Sequence, residues 1–201
     1  MILIVDYGIG NLRSAEKALQ HSGVNARLVD DPRDLASAAA VVLPGVGSYG
    51  TCIAALDASG WREPILEVLG AGVPFLGICV GFQMLFEGSE ESPDARGLGV
   101  VRGQVRKLEG APKLPHIQWN RLDIERPSRL FPVDLDEQWM YFVHSYAAPV
   151  TAETVATATY GSTFSAAIER DNVMGVQFHP EKSGSQGLAM LARFAAMTGE
   201  I

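Results

Sequence analysis

Cys79 stands between two glycines, in Gly77-Ile78-Cys79-Val80-Gly81, and far down the chain His179 and Glu181 flank Pro180. A thiol, an imidazole and a carboxylate are the parts of nucleophilic acyl transfer: the base takes the thiol proton, the carboxylate fixes the imidazole tautomer, and backbone N–H groups meet the oxyanion. The G-x-C-x-G spacing suits a sharp strand-to-helix turn, where backbone meets backbone and a Cβ at either glycine would have no room. Glu181, two residues past the histidine, can reach the ring nitrogen that faces away from the thiol. At this point a plainer alternative stays open, in which Cys79 is a small buried hydrophobe and the glycines merely shape a turn.

The elements around these residues favour chemistry. Residues 73–78 form a short apolar run that reads as a buried strand, and residues 82–87 are mostly good helix formers, so Cys79 falls at the junction. The N-terminus of such a helix presents unpaired N–H groups and a positive dipole end that favour a thiolate. Residues 173–178 read as a strand ending in His179, which reaches the same sheet edge as Cys79 if the two strands are parallel. The other histidines offer less: His21 is at a helix end, His116 in a Pro-rich loop and His144 within a strand, and none has a carboxylate two residues away. Neither the cysteines nor any histidine pair shows metal-ligand spacing, so no metal is expected.

Residues 2–5 read as a strand, 6–11 as a turn, 12–21 as a helix stopped at Gly23, and 25–30 as a second strand. Gly8 and Gly10 in this βαβ opening suggest a dinucleotide fingerprint, but its third glycine falls at Arg13, whose side chain would obstruct close packing. A short helix over 34–39, a strand over 40–43, the loop Pro44-Gly45-Val46-Gly47-Ser48-Tyr49-Gly50, a helix over 51–58 carrying Cys52 into the core, and a helix over 61–69 follow. The loop over 88–96, with Glu87, Glu90, Glu91 and Asp94 in or beside it, reads as solvated, yet one of its carboxylates can hold a substrate ammonium group. From residue 98 short strands dominate, over 99–108, 141–146, 154–159, 165–169 and 173–178, until a closing helix over 188–197. The expected fold is α/β, a single domain over 1–201, with an open, mostly parallel sheet, flanking helices and additional antiparallel strands in the C-terminal half or a small second sheet.

With 23 acidic against 16 basic side chains, a net charge of -7 and no long basic run, a nucleic-acid surface is not expected. Two cysteines are too few for a disulfide framework and suit a reducing cytoplasm. The opening run lacks a basic n-region and meets an acid at Asp6, so it is expected to be a first strand rather than a signal peptide, and no apolar run approaches the ~20 residues of a membrane span. Small molecules or another protein are the expected partners.

The elbow 77–83, the loop Pro44-Gly45-Val46-Gly47 and Phe178-His179-Pro180-Glu181 together resemble the class I glutamine amidotransferases, whose fold is flavodoxin-like. The opening Asp6-Tyr7-Gly8-Ile9-Gly10-Asn11-Leu12, with Pro115-His116, Trp119-Asn120 and Tyr141-Phe142-Val143-His144-Ser145-Tyr146, narrows the resemblance to that family's glutaminase subunits of imidazole glycerol phosphate synthase. The resemblance implies hydrolysis of L-glutamine through a thioester on Cys79, with His179 as base then acid and Glu181 orienting it. It implies an oxyanion hole from the Val80 N–H and one from Val46 or Gly47, and substrate contacts from Gln83, Glu91, Ser145 and Tyr146. It further implies no cofactor, and a heterodimer with a (β/α)8 cyclase subunit that receives the ammonia, with Asn11, Trp119, Asn120, Tyr141 and Lys182 near the partner face. Gln118, where glycine is common, and Val80 and Phe82, where leucine and methionine are usual, depart from the family's pattern.

Overall fold

The computed structural model describes residues 1–132 and 137–199. The first half alternates strands and helices: β1 (Ile2–Val5), α1 (Leu12–His21), β2 (Ala26–Val29), a 3-10 helix (Pro32–Ser37), β3 (Ala40–Gly45), α2 (Tyr49–Ala58), α3 (Arg62–Gly70), β4 (Phe75–Cys79) and α4 (Val80–Gln83). Strands then dominate: β5 (Gly88–Ser89), β6 (Gln104–Lys107), β7 (His116–Ile124), β8 (Gln138–His144), β9 (Tyr146–Ala147), β10 (Thr154–Tyr160), β11 (Ser162–Arg170) and β12 (Val173–Val176), before a 3-10 turn (Pro180–Lys182) and α5 (Gly184–Ala196).

Among the described residues the large sheet has nine strands in the order β2-β1-β3-β4-β12-β11-β10-β7-β8. The first five run parallel and the rest antiparallel, so a parallel sheet with an antiparallel extension is what the chain builds. β5, β6 and β9 make a separate three-stranded sheet. Every residue of β1, β3, β4 and β12 is buried, as expected of parallel strands covered on both faces, and this is why they read as unbroken apolar runs. The strand order reverses direction between β1 and β3, which opens a crevice at the carboxyl ends of the central strands.

Four expectations change. Of residues 34–39, only 34–37 are helical, in a 3-10 helix that starts earlier, because the Asp31 carboxylate accepts the Arg33 N–H at 3.0 Å and starts the turn at Pro32, and that ends before the extended Ala38. The helix expected over 82–87 is instead the single turn of α4, since the carbonyls of Met84, Leu85 and Phe86 accept the N–H groups of Leu98, Val100 and Gly99 at 2.7, 2.9 and 3.2 Å. Those acceptors are thereby lost to a continuing helix. Of residues 99–108, strand geometry is confined to Gln104–Lys107.

The largest change concerns His116, which opens the nine-residue β7 rather than lying in a loop. Gln118, Asn120, Arg121 and Asp123 hide the strand, because both faces of a sheet extension can carry polar residues. His116 is fully buried directly opposite His144. Its ring stacks on Tyr160 at 4.1 Å and on Phe142 at 5.2 Å between centroids, and its Nδ1 lies 3.0 Å from His144 Nε2.

Two outcomes follow for stability. Gly81→Ala should cost at least the upper end of the ~1–3 kcal/mol typical of overpacking, because a Cβ there would overlap the Leu43 carbonyl oxygen. Gly70→Ala, with open space around it, should change stability by no more than ~1 kcal/mol; denaturant midpoints compare the two. Burial holds His116 down at about 4 and His144 at about 3, below the ordinary value near 6.5 that each regains on unfolding. The unfolded chain then takes up protons the folded chain refuses, so the pair's contribution is complete above about pH 6.5 and is lost as pH falls toward 4. Urea midpoints should fall across that window, and His116→Phe should flatten the fall.

Candidate active site

Cys79 ends β4 with φ +56°, a left-handed conformation that costs an ordinary residue ~1–3 kcal/mol and persists only where the surroundings enforce it. The enforcement is visible: a Cβ on Gly77 would lie 2.8 Å from the Gly81 carbonyl oxygen, and one on Gly45 2.6 Å from the Gly81 nitrogen. Both glycines of the elbow and one from the neighbouring strand are therefore required by contact as well as by spacing. β12 pairs with β4 in parallel, Val176 opposite Ile78, so the residues after both strands emerge at one edge and His179 meets Cys79.

The His179 and Glu181 side chains are 3% and 2% exposed, with Nδ1 2.9 Å from Oε1. A carboxylate can only accept here, so the proton sits on Nδ1 and Nε2 is left for the thiol. Burial disfavours the imidazolium, but hydrogen bonds to Cys79 and Glu181, and their charges when ionised, outweigh it and raise the group to about 10. For Glu181 burial acts upward, and it is overcome by the His179 bond and charge and by the Asn11 amide, which hold the carboxyl below its usual range. Asn11 Nδ2 donates to the same Oε1 at 3.2 Å. His179 is itself held by β8: its N–H donates to the Tyr141 carbonyl at 2.9 Å.

Cys79 faces a cavity of about 230 Å³ lined by Val46, Gly47, Val80, Gln83, Glu91, Val143, His144, Ser145, Tyr146, His179 and Lys182. The residues expected at the nucleophile, base, oxyanion and substrate positions are thus gathered in one place, with Glu181 and Asn11 behind the imidazole. Glu91 presents one carboxylate oxygen, since Oε2 accepts the Tyr49 N–H at 2.7 Å. Gln83 Nε2 is engaged twice, by the Tyr146 carbonyl at 2.8 Å and Gln177 Oε1 at 2.9 Å, which leaves its oxygen for a ligand. Cys52 is core, and its thiol donates to the Val46 carbonyl at 3.3 Å.

Of the residues expected near a partner, Trp119 is 47% exposed and lies opposite Tyr141 in the β7–β8 pair. Lys182 Nζ sits 5.9 Å over the Tyr141 ring. Asn120 points to the other face of the strand, where Nδ2 donates to the Thr159 carbonyl at 3.0 Å. The sequence reading missed Gln177, fully buried with Nε2 4.0 Å from Cys79 Sγ. A polar residue interrupting the apolar run into His179 was the signal for it.

Comparison with known proteins gives the family. The family model described as Glutamine amidotransferase class-I matches residues 3–197. The imidazole glycerol phosphate synthase subunit HisH of Syntrophotalea carbinolica is 48% identical over 206 residues, covering 98% of this chain and all of that one. The subunit of the same name from Methanothermobacter thermautotrophicus is 46% identical over 195 residues, 96% of this chain and 97% of that one. Among solved structures, a glutamine amidotransferase superposes with TM-score 0.78 at 19% identity over 99% of this chain and 100% of that one, and PurLQS from Thermotoga maritima with 0.76 at 22% over 97% of each; these show the fold. With a family model spanning nearly the whole chain and relatives this similar end to end, the chain belongs to the class I glutamine amidotransferases.

Proposed function

We propose that this chain is the glutaminase subunit of an imidazole glycerol phosphate synthase in histidine biosynthesis, working in the cytoplasm. Near-half identity over essentially full length to relatives of that name carries the reading, and the gathered thiol, imidazole and carboxylate support it. The partner is a (β/α)8 cyclase subunit.

In this reading His179 Nε2 takes the Cys79 proton and the sulfur attacks the side-chain amide carbon of glutamine. The resulting oxyanion is met by the Val80 N–H and by one from Val46 or Gly47. Collapse expels ammonia with the proton returned from His179, leaving a γ-glutamyl thioester. Water, deprotonated by the same imidazole, then releases glutamate. Glu91 faces the substrate ammonium group, and Ser145, Tyr146 and the Gln83 oxygen hold the rest of the amino acid. The ammonia passes to the cyclase without meeting bulk water, and reacts there to give imidazole glycerol phosphate and aminoimidazole-carboxamide ribotide.

The resting backbone supports a gate. Val41 donates to the Pro74 carbonyl at 2.8 Å, and a parallel ladder alternates from there, so Gly45, opposite Cys79, turns its carbonyl toward the Val80 N–H. An acceptor then stands where the oxyanion must form, and activity requires that peptide to move. Ile117, Trp119 and Trp139, 55%, 47% and 44% exposed, share one face of β7 and β8 with Tyr141 and Val143. Val143 also lines the cavity, as does Lys182, so a partner docked on this face adjoins the reacting atoms; Asn11, also expected near the partner, sits behind the imidazole on Glu181.

The test is ammonia release from glutamine by the purified chain, alone and then with a cyclase subunit and its ribotide ligand, with Cys79→Ala as blank. Activity should appear with partner and ligand and be at least about a hundredfold lower without them. Equal rates would remove the gate, and no release from the folded complex would overturn the glutaminase. In the active complex Glu181→Gln should lower kcat by about a hundredfold or more, because the imidazole loses its fixed tautomer.

A further inference from the structure

The buried His116–His144 pair takes no part in the chemistry above, yet its protons can be placed. The Tyr146 carbonyl, 2.9 Å from His144 Nδ1, can only accept, so His144 carries its proton on Nδ1 and offers Nε2 as an acceptor. His116 Nδ1, 3.0 Å from that Nε2, must then be the donor. His116 Nε2 is left as a bare lone pair with no partner among the described residues, enclosed by the stacked rings of Tyr160 and Phe142. The opposite tautomers would set two lone pairs against each other at the Tyr146 carbonyl.

The same carbonyl orients two amides. It forces the Gln83 nitrogen toward itself at 2.8 Å; that nitrogen also donates to Gln177 Oε1 at 2.9 Å, and the Gln177 nitrogen consequently faces Cys79 Sγ at 4.0 Å. One carbonyl therefore fixes the direction of every bond from the first residue of β7 to the nucleophile.

We propose that His116 and His144 are positioning residues of the glutaminase site: they lock the Tyr146 carbonyl and, through Gln83 and Gln177, keep an N–H donor on the Cys79 sulfur. A donor there favours the thiolate, and an acceptor would oppose it. The kinetic consequence rests on the glutaminase reading, whereas the tautomers and the thiol reactivity do not.

Long-range 15N NMR of the labelled, folded chain should show both rings protonated on Nδ1; His144 protonated on Nε2 would overturn the proposal. His116→Phe keeps the ring stack and removes the donor, while His116→Asn places an amide nitrogen near the Nδ1 position. The pH midpoint for alkylation of Cys79 by iodoacetamide, read at that residue by mass spectrometry, should rise in His116→Phe and return in His116→Asn. In the active complex kcat/KM for glutamine should fall about tenfold in the first and recover in the second. A midpoint and kcat/KM within twofold of the unaltered chain in His116→Phe, or no recovery in His116→Asn, would sink the idea. Should His116→Phe not fold, His144→Asn, which keeps a donor for Tyr146, must outperform His144→Leu in the alkylation assay. The NMR and alkylation arms need no turnover, so they judge the pair even if the chain releases no ammonia.

Discussion

The site depends on the closeness of three backbone segments. β3 at Leu43 to Gly45, β4 at Gly77 and the turn at Gly81 touch with no space for a Cβ between them. That contact holds Cys79 in its left-handed conformation and aims the sulfur out of the sheet edge into the cavity. The strain at one residue persists because β4 is paired on both sides, with β3 and β12, and neither neighbour can yield without disturbing a fully buried core. The same contact brings Gly45, and with it residues 44–47, beside Val80, so one contact positions Cys79 and the backbone around it.

The brevity of α4 shifts the electrostatic argument. A helix running to Glu87 would bring a macrodipole to bear on Cys79; a single turn brings little. Tertiary bonds from residues 98–101 take the carbonyls that the longer helix would need. The groups placed to act on the Cys79 sulfur are therefore local, the imidazole of His179 and the amide of Gln177, rather than a helix end. Buried donors of this kind act through orientation, and orientation is what the Tyr146 carbonyl supplies.

What the sequence makes legible follows from how local each signal is. The elbow is readable because its steric demand falls on two glycines within a five-residue window, and His179 with Glu181 because base and orienter are two residues apart. β1, β3 and β4 are readable as unbroken apolar runs because both their faces are covered. β7 is not, since its burial comes from pairing with β8 and β10 while its own residues are largely polar. The His116–His144 pair and the tie from Asn11 to Glu181 join residues far apart in sequence, and no local pattern encodes them. Asn120 shows the converse: the resemblance implies a place near the partner, and strand alternation turns its amide to the face opposite Trp119 and Tyr141.

The two halves of the sheet meet at His179. The parallel half delivers Cys79, but the backbone that holds His179 is clipped by the antiparallel extension. The His179 N–H bonds the Tyr141 carbonyl, the Tyr141 N–H bonds Ser183 Oγ at 3.0 Å, and that hydroxyl returns to the His179 carbonyl at 2.6 Å. Tyr141 thus has its ring on the exposed face beside Trp119 and its backbone on His179. A surface that packs against the ring presses on a strand whose next hydrogen bond is to the imidazole's own residue. The connection runs through β8 rather than through a loop, so the exposed Tyr141 ring and the His179 backbone are held by one strand and its hydrogen bonds.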